Sequence, residues 1–306
     1  MKILENRKFF LMFSLLLVVL FYSITFGYYK GFAKSITFDG GIRITLILPK
    51  EKEKKFIETK LKESGFKEFI VRLVDPKENK YDIEFGPEVR EEIRKQVKDD
   101  KKITEELEKR ILPNLEIPVE NIISREIISA SYGSNLFKIS LKALVWAIIL
   151  ITVYVSFRFR FSFALGATIA LIHDLVITIG FIGVYRIQPS IPVVAAILTL
   201  LGYSINDTII IFDRIRSKMK DEADLLNFTL LNSAIVETFS RTIITSFLTA
   251  LSLIAIIIIN AETLIDFSLI LIFGILIGTY SSIFIATPVM YYYERFRQSR
   301  THKSTI

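Results

Sequence analysis

The sequence has no cysteine, and only two of its 306 residues are histidine. The lack of cysteine excludes disulfide bonds and thiolate chemistry. His173 and His302 lie far apart in the chain, no group of residues has metal-ligand spacing, and there is no glycine-rich phosphate loop. These absences predict a protein that is not an enzyme and that needs no cofactor.

Charged residues are nearly missing from six long stretches of the chain. The sequence is 51% hydrophobic, and its apolar residues come in blocks of about twenty, the length that spans a bilayer as a helix. The predicted spans are 9–29, 139–157, 161–185, 191–212, 243–259 and about 264–292. The sequence therefore predicts an α-helical, multi-pass protein of the lipid bilayer.

Much of the net charge of +7 comes from basic residues that lie beside these spans. Basic residues cluster at 2–8, 158–160, 214–220 and 295–303, which all fall on one side of the membrane if every predicted span crosses it. The positive-inside rule then places the N-terminus (1–8) and the tail (294–306) in the cytoplasm. A nucleic-acid partner is not predicted, because membrane topology already explains the positive charge.

Residues 30–138 form a charged insert between the first two spans, and this topology makes it extracytoplasmic. Its pattern is β-α-β-β-α-β, which predicts a small α+β domain of the ferredoxin-like type. The expected elements are two strand halves at 35–48 around the Asp39-Gly40-Gly41 turn, a helix at 49–64, strands at 69–73 and 81–85, two helical pieces within 87–112, and a strand at 119–128. Nothing in the insert resembles a catalytic set.

The fourth and fifth spans hold the polar residues that are hardest to explain as lipid contacts. Asp207 lies within the apolar run of the fourth span, where a charge costs at least about 2.5–3.5 kcal/mol. Arg241 begins the fifth span from the same side, so the two residues are expected at similar depth, facing one another. Two readings stay open for this pair: a static ion pair that joins two helices, or a site that takes up and releases protons.

Small and polar residues also recur about four residues apart in each of the last four spans, which permits close helix packing. These rows are Gly166, Ala170, Asp174 and Thr178; Ala195, Thr199, Gly202 and Asn206; Arg241, Thr245, Thr249 and Ser252; and Gly274, Gly278, Ser282 and Ala286. Asp174, next to His173, fits either an ordered hydrogen-bond partner at a helix crossing or a relay residue. An intramembrane aspartyl protease would use Asp174 and Asp207, but the Gly-x-Gly-Asp motif of that class is absent.

Several motifs in the spans occur together and in one order. They are FDGG at 38–41, ALGATIALIHD at 164–174, GYSINDT at 202–208 with FDRIR at 212–216, SRTIITS at 240–246 and GTYSSIFIA at 278–286. In this combination the chain resembles the SecF family of bacterial protein-export membrane proteins. One departure is SASYGS at 129–134, where the family usually has a Val-Gly-Pro-x-Val-Gly segment.

The resemblance implies a six-helix bundle of the resistance-nodulation-division type in the bacterial cytoplasmic membrane. It further implies pairing with six helices of SecD, association with the SecYEG channel and YajC, and use of proton or sodium entry to complete translocation of a preprotein. The family's ion-conducting acid and arginine carry over to Asp207 and Arg241. Asn206 and Asp174 carry over as supporting polar positions, to which the row in the fifth span adds Thr245.

The sequence is also compatible with two other functions. The first is an ion-driven exporter of small molecules or lipids from the same superfamily, although such exporters usually have twelve helices in one chain. The second is a structural scaffold for the translocon, in which Asp207 would be a packing group.

Overall fold

The computed structural model describes residues 3–49, 52–66, 69–97, 100–221 and 226–303. In this part of the chain, six helical segments are long and apolar enough to cross a membrane. They are Leu4–Tyr28, Ala130–Arg158, Phe161–Val184, Ile191–Met219, Phe228–Ile258 and Leu264–Arg297. The predicted number and order of the spans are confirmed, and the charged insert folds as a separate domain between the first and the second.

The first span consists of helix α1 (Arg7–Tyr22) and a π-helical turn (Ser23–Tyr28). The inserted domain follows as α2 (Ile36–Asp39), β1 (Gly41–Ile47), α3 (Lys54–Glu63), β2 (Phe69–Asp75), β3 (Lys80–Phe85), α4 (Pro87–Arg94), α5 (Asp100–Leu115) and β4 (Ile122–Ile128). Its strands form one sheet in the order β2-β3-β1-β4, and every neighbouring pair is antiparallel. This is the arrangement of the predicted ferredoxin-like fold.

The core of this domain follows from alternation in the strands and periodicity in the helices. Ile44 of β1 pairs with Ile83 of β3, and both side chains are buried on the face that the helices cover. Ile57 and Leu61, four residues apart in α3, are fully buried against the sheet. The prediction that 49–64 contains an amphipathic helix is confirmed, and so is the division of 87–112 into two helices.

The prediction of a strand before the Asp39-Gly40-Gly41 turn is wrong, because residues 36–39 form the short helix α2. The Ser35 side chain accepts a hydrogen bond from the Thr37 amide (3.2 Å), and Asp39 Oδ2 accepts one from the Ser35 amide (2.8 Å). These reciprocal caps satisfy backbone donors that a strand would have paired. The β-strand begins only at Gly41, where an added β-carbon would lie 2.2 Å from the Phe85 carbonyl oxygen.

The membrane bundle resumes directly after β4. Its helices are α6 (Ala130–Arg158), α7 (Phe161–Val184), α8 (Ile191–Asp221), α9 (Phe228–Ile258), α10 (Glu262–Ser281) and α11 (Thr287–Lys303), with a π-helical turn (Ser282–Ala286) joining the last two. Helix α6 therefore begins at Ala130, nine residues before the predicted span. Helices α8 and α9 extend through most of the polar segment 213–241.

The atypical SASYGS segment forms the first turn of α6 rather than a separate hinge. Ser129 caps this helix by accepting a hydrogen bond from the Tyr132 amide (3.2 Å). Gly133 lies against α2, so closely that an added β-carbon would be 2.5 Å from the Phe38 carbonyl oxygen. The FDGG motif is thus the point where the inserted domain rests on the second span.

Glycines also bring the membrane helices together at their crossings. An added β-carbon at Gly274 of α10 would lie 2.6 Å from Leu200 of α8, and one at Gly278 would lie 3.0 Å from Ser204. The predicted packing role of the small residues in the sixth span is therefore confirmed. This close approach of α8 and α10 brings their polar side chains within hydrogen-bonding distance of each other.

Candidate functional site

Asp207 lies on α8 and is 5% exposed, with its carboxylate directed into the bundle. The hydroxyl of Thr279, on α10, donates to Asp207 Oδ2 at 2.9 Å, and the hydroxyl of Ser246, on α9, lies 3.0 Å from that of Thr279. Because the single hydroxyl proton of Thr279 goes to Asp207, Ser246 is the donor in the second bond. A line of hydroxyls therefore connects three helices and ends on the acid.

Asp174 is the second acid of the bundle, and its side chain is fully buried on α7. Its Oδ2 accepts hydrogen bonds from Ser204 of α8 (2.5 Å) and Ser281 of α10 (2.8 Å). His173 Nδ1 lies 2.9 Å from the other carboxylate oxygen. The sequence left Asp174 open between a partner at a helix crossing and a relay residue, and these contacts place it at a crossing of three helices.

The two acids belong to one polar region. Ser204, which donates to Asp174, precedes Asp207 by three residues on α8. At the end of α10, Thr279 donates to Asp207 and Ser281 donates to Asp174. Among the described side chains, no lysine or arginine forms an ion pair with either carboxylate. Apart from the His173 ring beside Asp174, hydroxyl groups rather than lysine or arginine compensate these buried acids in the described structure.

The predicted contact between Asp207 and Arg241 is not formed within this chain. Helices α8 and α9 run antiparallel, and Glu237 of α9 pairs with Lys218 of α8 at 2.8 Å and also with Arg214. Arg241 follows Glu237 by about one turn, or roughly 6 Å, in the direction that leads back along α8 toward Asp207.

However, the Arg241 side chain is exposed on the outer surface of the bundle. Successive helical residues point about 100° apart, and at this level α9 turns Thr242 and Ser246 toward the bundle. Thr242 is buried, and Ser246, one turn further on, reaches Thr279. The similar depth of the two residues stays a prediction, whereas the outward direction of the arginine follows from how α9 packs.

Asn206 and Thr245, the remaining predicted site residues, are exposed as well. The Thr245 hydroxyl donates to carbonyl oxygens of its own helix, those of Arg241 (3.0 Å) and Thr242 (2.9 Å). Each belongs to an exposed row of small and polar residues on adjacent helices, and we call these rows the polar stripes. They are Ala195, Thr199, Gly202 and Asn206 on α8, and Arg241, Thr245 and Ser252 on α9.

Gly202 shows that the stripe on α8 is open. Apart from the backbone of α8 itself, no described atom lies within 4 Å of the position that its β-carbon would take, whereas Gly274 and Gly278 on the facing helix are tightly packed. A glycine inside a helix costs about 0.5–1 kcal/mol relative to alanine, and no close packing by the described residues offsets that cost at Gly202. The residue fits a position where a helix of another protein approaches closely.

The sequence alone did not single out the hydroxyl groups that bind the acids. Ser246 and Thr279 lie within the motifs SRTIITS and GTYSSIFIA, and Ser204 lies within GYSINDT. For Ser204 the sequence did contain a signal, since this residue lies one helical turn before Asp207 on the same predicted span. The partners on α9 and α10 are distant in sequence, so only the packing of the helices identifies them.

Comparisons with known proteins agree with this architecture. The family model for the protein export membrane protein SecD/SecF, C-terminal, matches residues 109–296. The protein translocase subunit SecF of Sebaldella termitidis is 34% identical over 301 residues, which cover 97% of this chain and 93% of that protein. The protein translocase subunit SecDF of Thermus thermophilus is 33% identical over 292 residues, which cover 94% of this chain and 38% of that longer protein.

The fold is similar to a solved structure as well. The crystal structure of SecDF from Thermus thermophilus, described as a translocon-associated membrane protein, superposes with a TM-score of 0.76 at 30% identity and covers 95% of this chain. The chain spans 38% of that structure. The chain belongs to the SecD/SecF family of protein-export membrane proteins and, within it, to the SecF subunits of protein translocases.

Proposed function

We propose that the chain acts with a SecD subunit to couple entry of protons, or of sodium ions, to the completion of preprotein export. The complex would lie in the bacterial cytoplasmic membrane beside the SecYEG channel and YajC, with both termini of this chain in the cytoplasm and residues 30–138 outside. The observation that supports this proposal best is the position of Asp207, a buried acid that hydroxyl groups hold next to the exposed polar stripes, with no lysine or arginine partner in the described part of the chain.

A second six-helix unit fits against these stripes. The SecDF relative contains in one chain both a region like this chain and a much longer remainder, which supports a SecD partner for a chain that holds only the SecF part. Gly202 offers the space for a close helix, and Asn206 and Arg241 offer polar contacts to it. An exposed arginine at this depth is costly in lipid, and a partner helix would remove that cost.

Asp207 is the ion-binding group in this proposal. A carboxylate with hydroxyl partners can accept a proton, and the line Ser246–Thr279–Asp207 offers groups that both donate and accept. The same oxygens suit a sodium ion, so the geometry fits either coupling ion. Arg241 would act across the interface with the partner, and its guanidinium would alter the affinity of Asp207 for the ion when the two subunits move.

The other acid serves the same region in a supporting role. Asp174 joins α7 to α8 and α10 through Ser204 and Ser281, and Asp207 is held by the same α8 and α10. A shift of α10 caused by ion binding at Asp207 would therefore reach α7. In this proposal the shift would pass on to the inserted domain, which lies against α6 at Gly133.

The proposal is tested by Asp207→Asn in cells, with Asp213→Asn as its matched control. Asp213 lies six residues further along the same helix and is exposed, with Arg158 3.7 Å away. We expect the Asp207 variant to accumulate normally and to co-purify with SecD, while pulse-chase labelling shows slowed export of a secreted preprotein. The control should export at the normal rate. Normal export by an assembled Asp207→Asn complex would refute the ion-coupling role and favour a structural scaffold.

A further inference from the structure

A basic pocket lies at the end of the bundle that the sequence places in the cytoplasm. It has a volume of about 330 Å³ and is bordered by the end of α6, the short link to α7 and the last turns of α8. Three arginines from these elements line it: Arg158, Arg160 and Arg216. The aromatic rings of Phe157 and Phe159 complete the side of the pocket near the predicted membrane surface.

The lining of the pocket, among the residues that the structure describes, holds three arginines and no acidic side chain. Arg216 Nη1 donates to the Arg158 carbonyl oxygen at 3.0 Å and forms no ion pair within the described residues. Arg158 has Asp213 at 3.7 Å, and both of these side chains are more than half exposed. Such a contact between exposed groups is weak, and it leaves the guanidinium available to an anion.

The third arginine, Arg160, lies near an acid that also pairs with another arginine. Arg160 Nη1 lies 3.8 Å from Glu294 Oε1 on α11, and the same oxygen is 2.8 Å from Arg297. Glu294 is therefore shared between two arginines.

The aromatic ring of Phe159 fixes two of the guanidinium groups. Arg158 and Arg216 lie over its face, with their Cζ atoms 5.7 Å and 5.8 Å from the ring centroid. Contacts of this type hold an arginine in place while its N–H groups stay free to bind an acceptor. A planar guanidinium matches two phosphate oxygens at once, so the paired arginines are suited to a phosphate more than to a single carboxylate.

The apolar surroundings of the pocket favour a lipid over a soluble phosphate compound as its ligand. Phe157, which lines it, is 89% exposed, and Tyr154, one turn earlier on α6, is 58% exposed. Both side chains lie on the part of α6 that enters the apolar span, so they offer a surface for an acyl chain below the headgroup. Basic pockets between transmembrane helices near the cytoplasmic surface are typical sites for acidic lipid headgroups.

We propose that this pocket binds the phosphate of an anionic phospholipid such as phosphatidylglycerol. Arg158 and Arg216 hold the phosphate oxygens, Arg160 adds positive charge at the rim, and the acyl chains lie along α6. The lipid would then connect α6 with α8, the helix that contains Asp207.

The test is native mass spectrometry of the purified full chain in detergent, titrated separately with phosphatidylglycerol, phosphatidylcholine and inorganic phosphate. Arg216→Gln removes one phosphate ligand, and Arg295→Gln is the matched control, because Arg295 lies at the same end of the bundle outside the pocket and bonds to Tyr291. Arg216→Lys, which keeps the charge, replaces the glutamine variant if that variant does not fold.

We expect the unaltered chain to bind phosphatidylglycerol at least about 10-fold more tightly than phosphatidylcholine, because the arginines repel the choline cation that neutralises the phosphate of phosphatidylcholine. Arg216→Gln should remove most of this preference, Arg216→Lys should weaken it, and Arg295→Gln should leave it unchanged. Equal binding of the two lipids would overturn the proposal, as would an equal loss in the Arg295 control. Displacement of phosphatidylglycerol by millimolar inorganic phosphate would overturn it in favour of a soluble phosphate ligand.

Discussion

The hydroxyl of Thr279 provides the sharpest test of how the buried acid is held. Thr279→Val keeps the shape of the side chain but removes the donor that lies 2.9 Å from Asp207 Oδ2 and the acceptor that Ser246 uses. Leaving one buried polar group without its partner costs about 1–3 kcal/mol, which corresponds to roughly 5- to 150-fold in an equilibrium. We therefore expect the variant to assemble with SecD and to export preproteins several-fold more slowly in pulse-chase labelling.

The matched control is Thr245→Val, which makes the same chemical change in a residue that the sequence favoured. The Thr245 hydroxyl bonds only to carbonyl oxygens of α9 in the described structure, at 3.0 Å and 2.9 Å. Its loss should therefore slow export less than the loss of the Thr279 hydroxyl. Slower export in the Thr245 variant than in the Thr279 variant would contradict this reasoning, and would show that the exposed stripe, not the hydroxyl line, controls the acid.

Three further predictions concern the interface, the domain junction and the inserted domain. Gly202→Leu should reduce co-purification of SecD without lowering the melting temperature of the isolated chain, because no described residue of a neighbouring helix occupies that space; a lowered melting temperature would argue against an open interface. Gly133→Ala should speed hydrogen exchange in α2, since its β-carbon would lie 2.5 Å from the Phe38 carbonyl oxygen, and unchanged exchange would disprove the contact. Arg43→Met should lower the free energy of unfolding of the inserted domain, measured by urea denaturation, by about 1–3 kcal/mol, because the nearly buried Glu84 loses the guanidinium that lies 2.9 Å from it. An unchanged denaturation midpoint would show that Glu84 does not need Arg43.

The sequence predicted the elements whose signals are local. The six apolar blocks correspond to six long helices. The alternation of apolar residues in β1 and their periodicity in α3 predicted both the strand and the helix, and in each the apolar face is buried. The exception is residues 36–39, whose pattern of alternating apolar residues suggested a strand. There the caps provided by Ser35 and Asp39 determined the structure, because they satisfy the backbone locally before any strand partner is available.

The candidate site was predictable only in part, because its contacts join distant helices. Burial of Asp207 could be inferred from the apolar run around it, and so could its depth relative to Arg241. Its actual partner, Thr279, is 72 residues away and comes into reach because Gly274 and Gly278 let α10 approach α8. The outward direction of Arg241 follows from the packing of α9, which no local pattern specifies.

The central claim, that Asp207 binds the coupling ion, is tested most directly by ion uptake. The SecD complex of this chain would be reconstituted into vesicles with a pH-sensitive or sodium-sensitive dye inside, and uptake would be measured under an imposed ion gradient. We predict uptake by the unaltered complex and by the Asp213→Asn control, and none above empty vesicles for Asp207→Asn. Uptake by the Asp207→Asn complex at the unaltered rate would contradict the account.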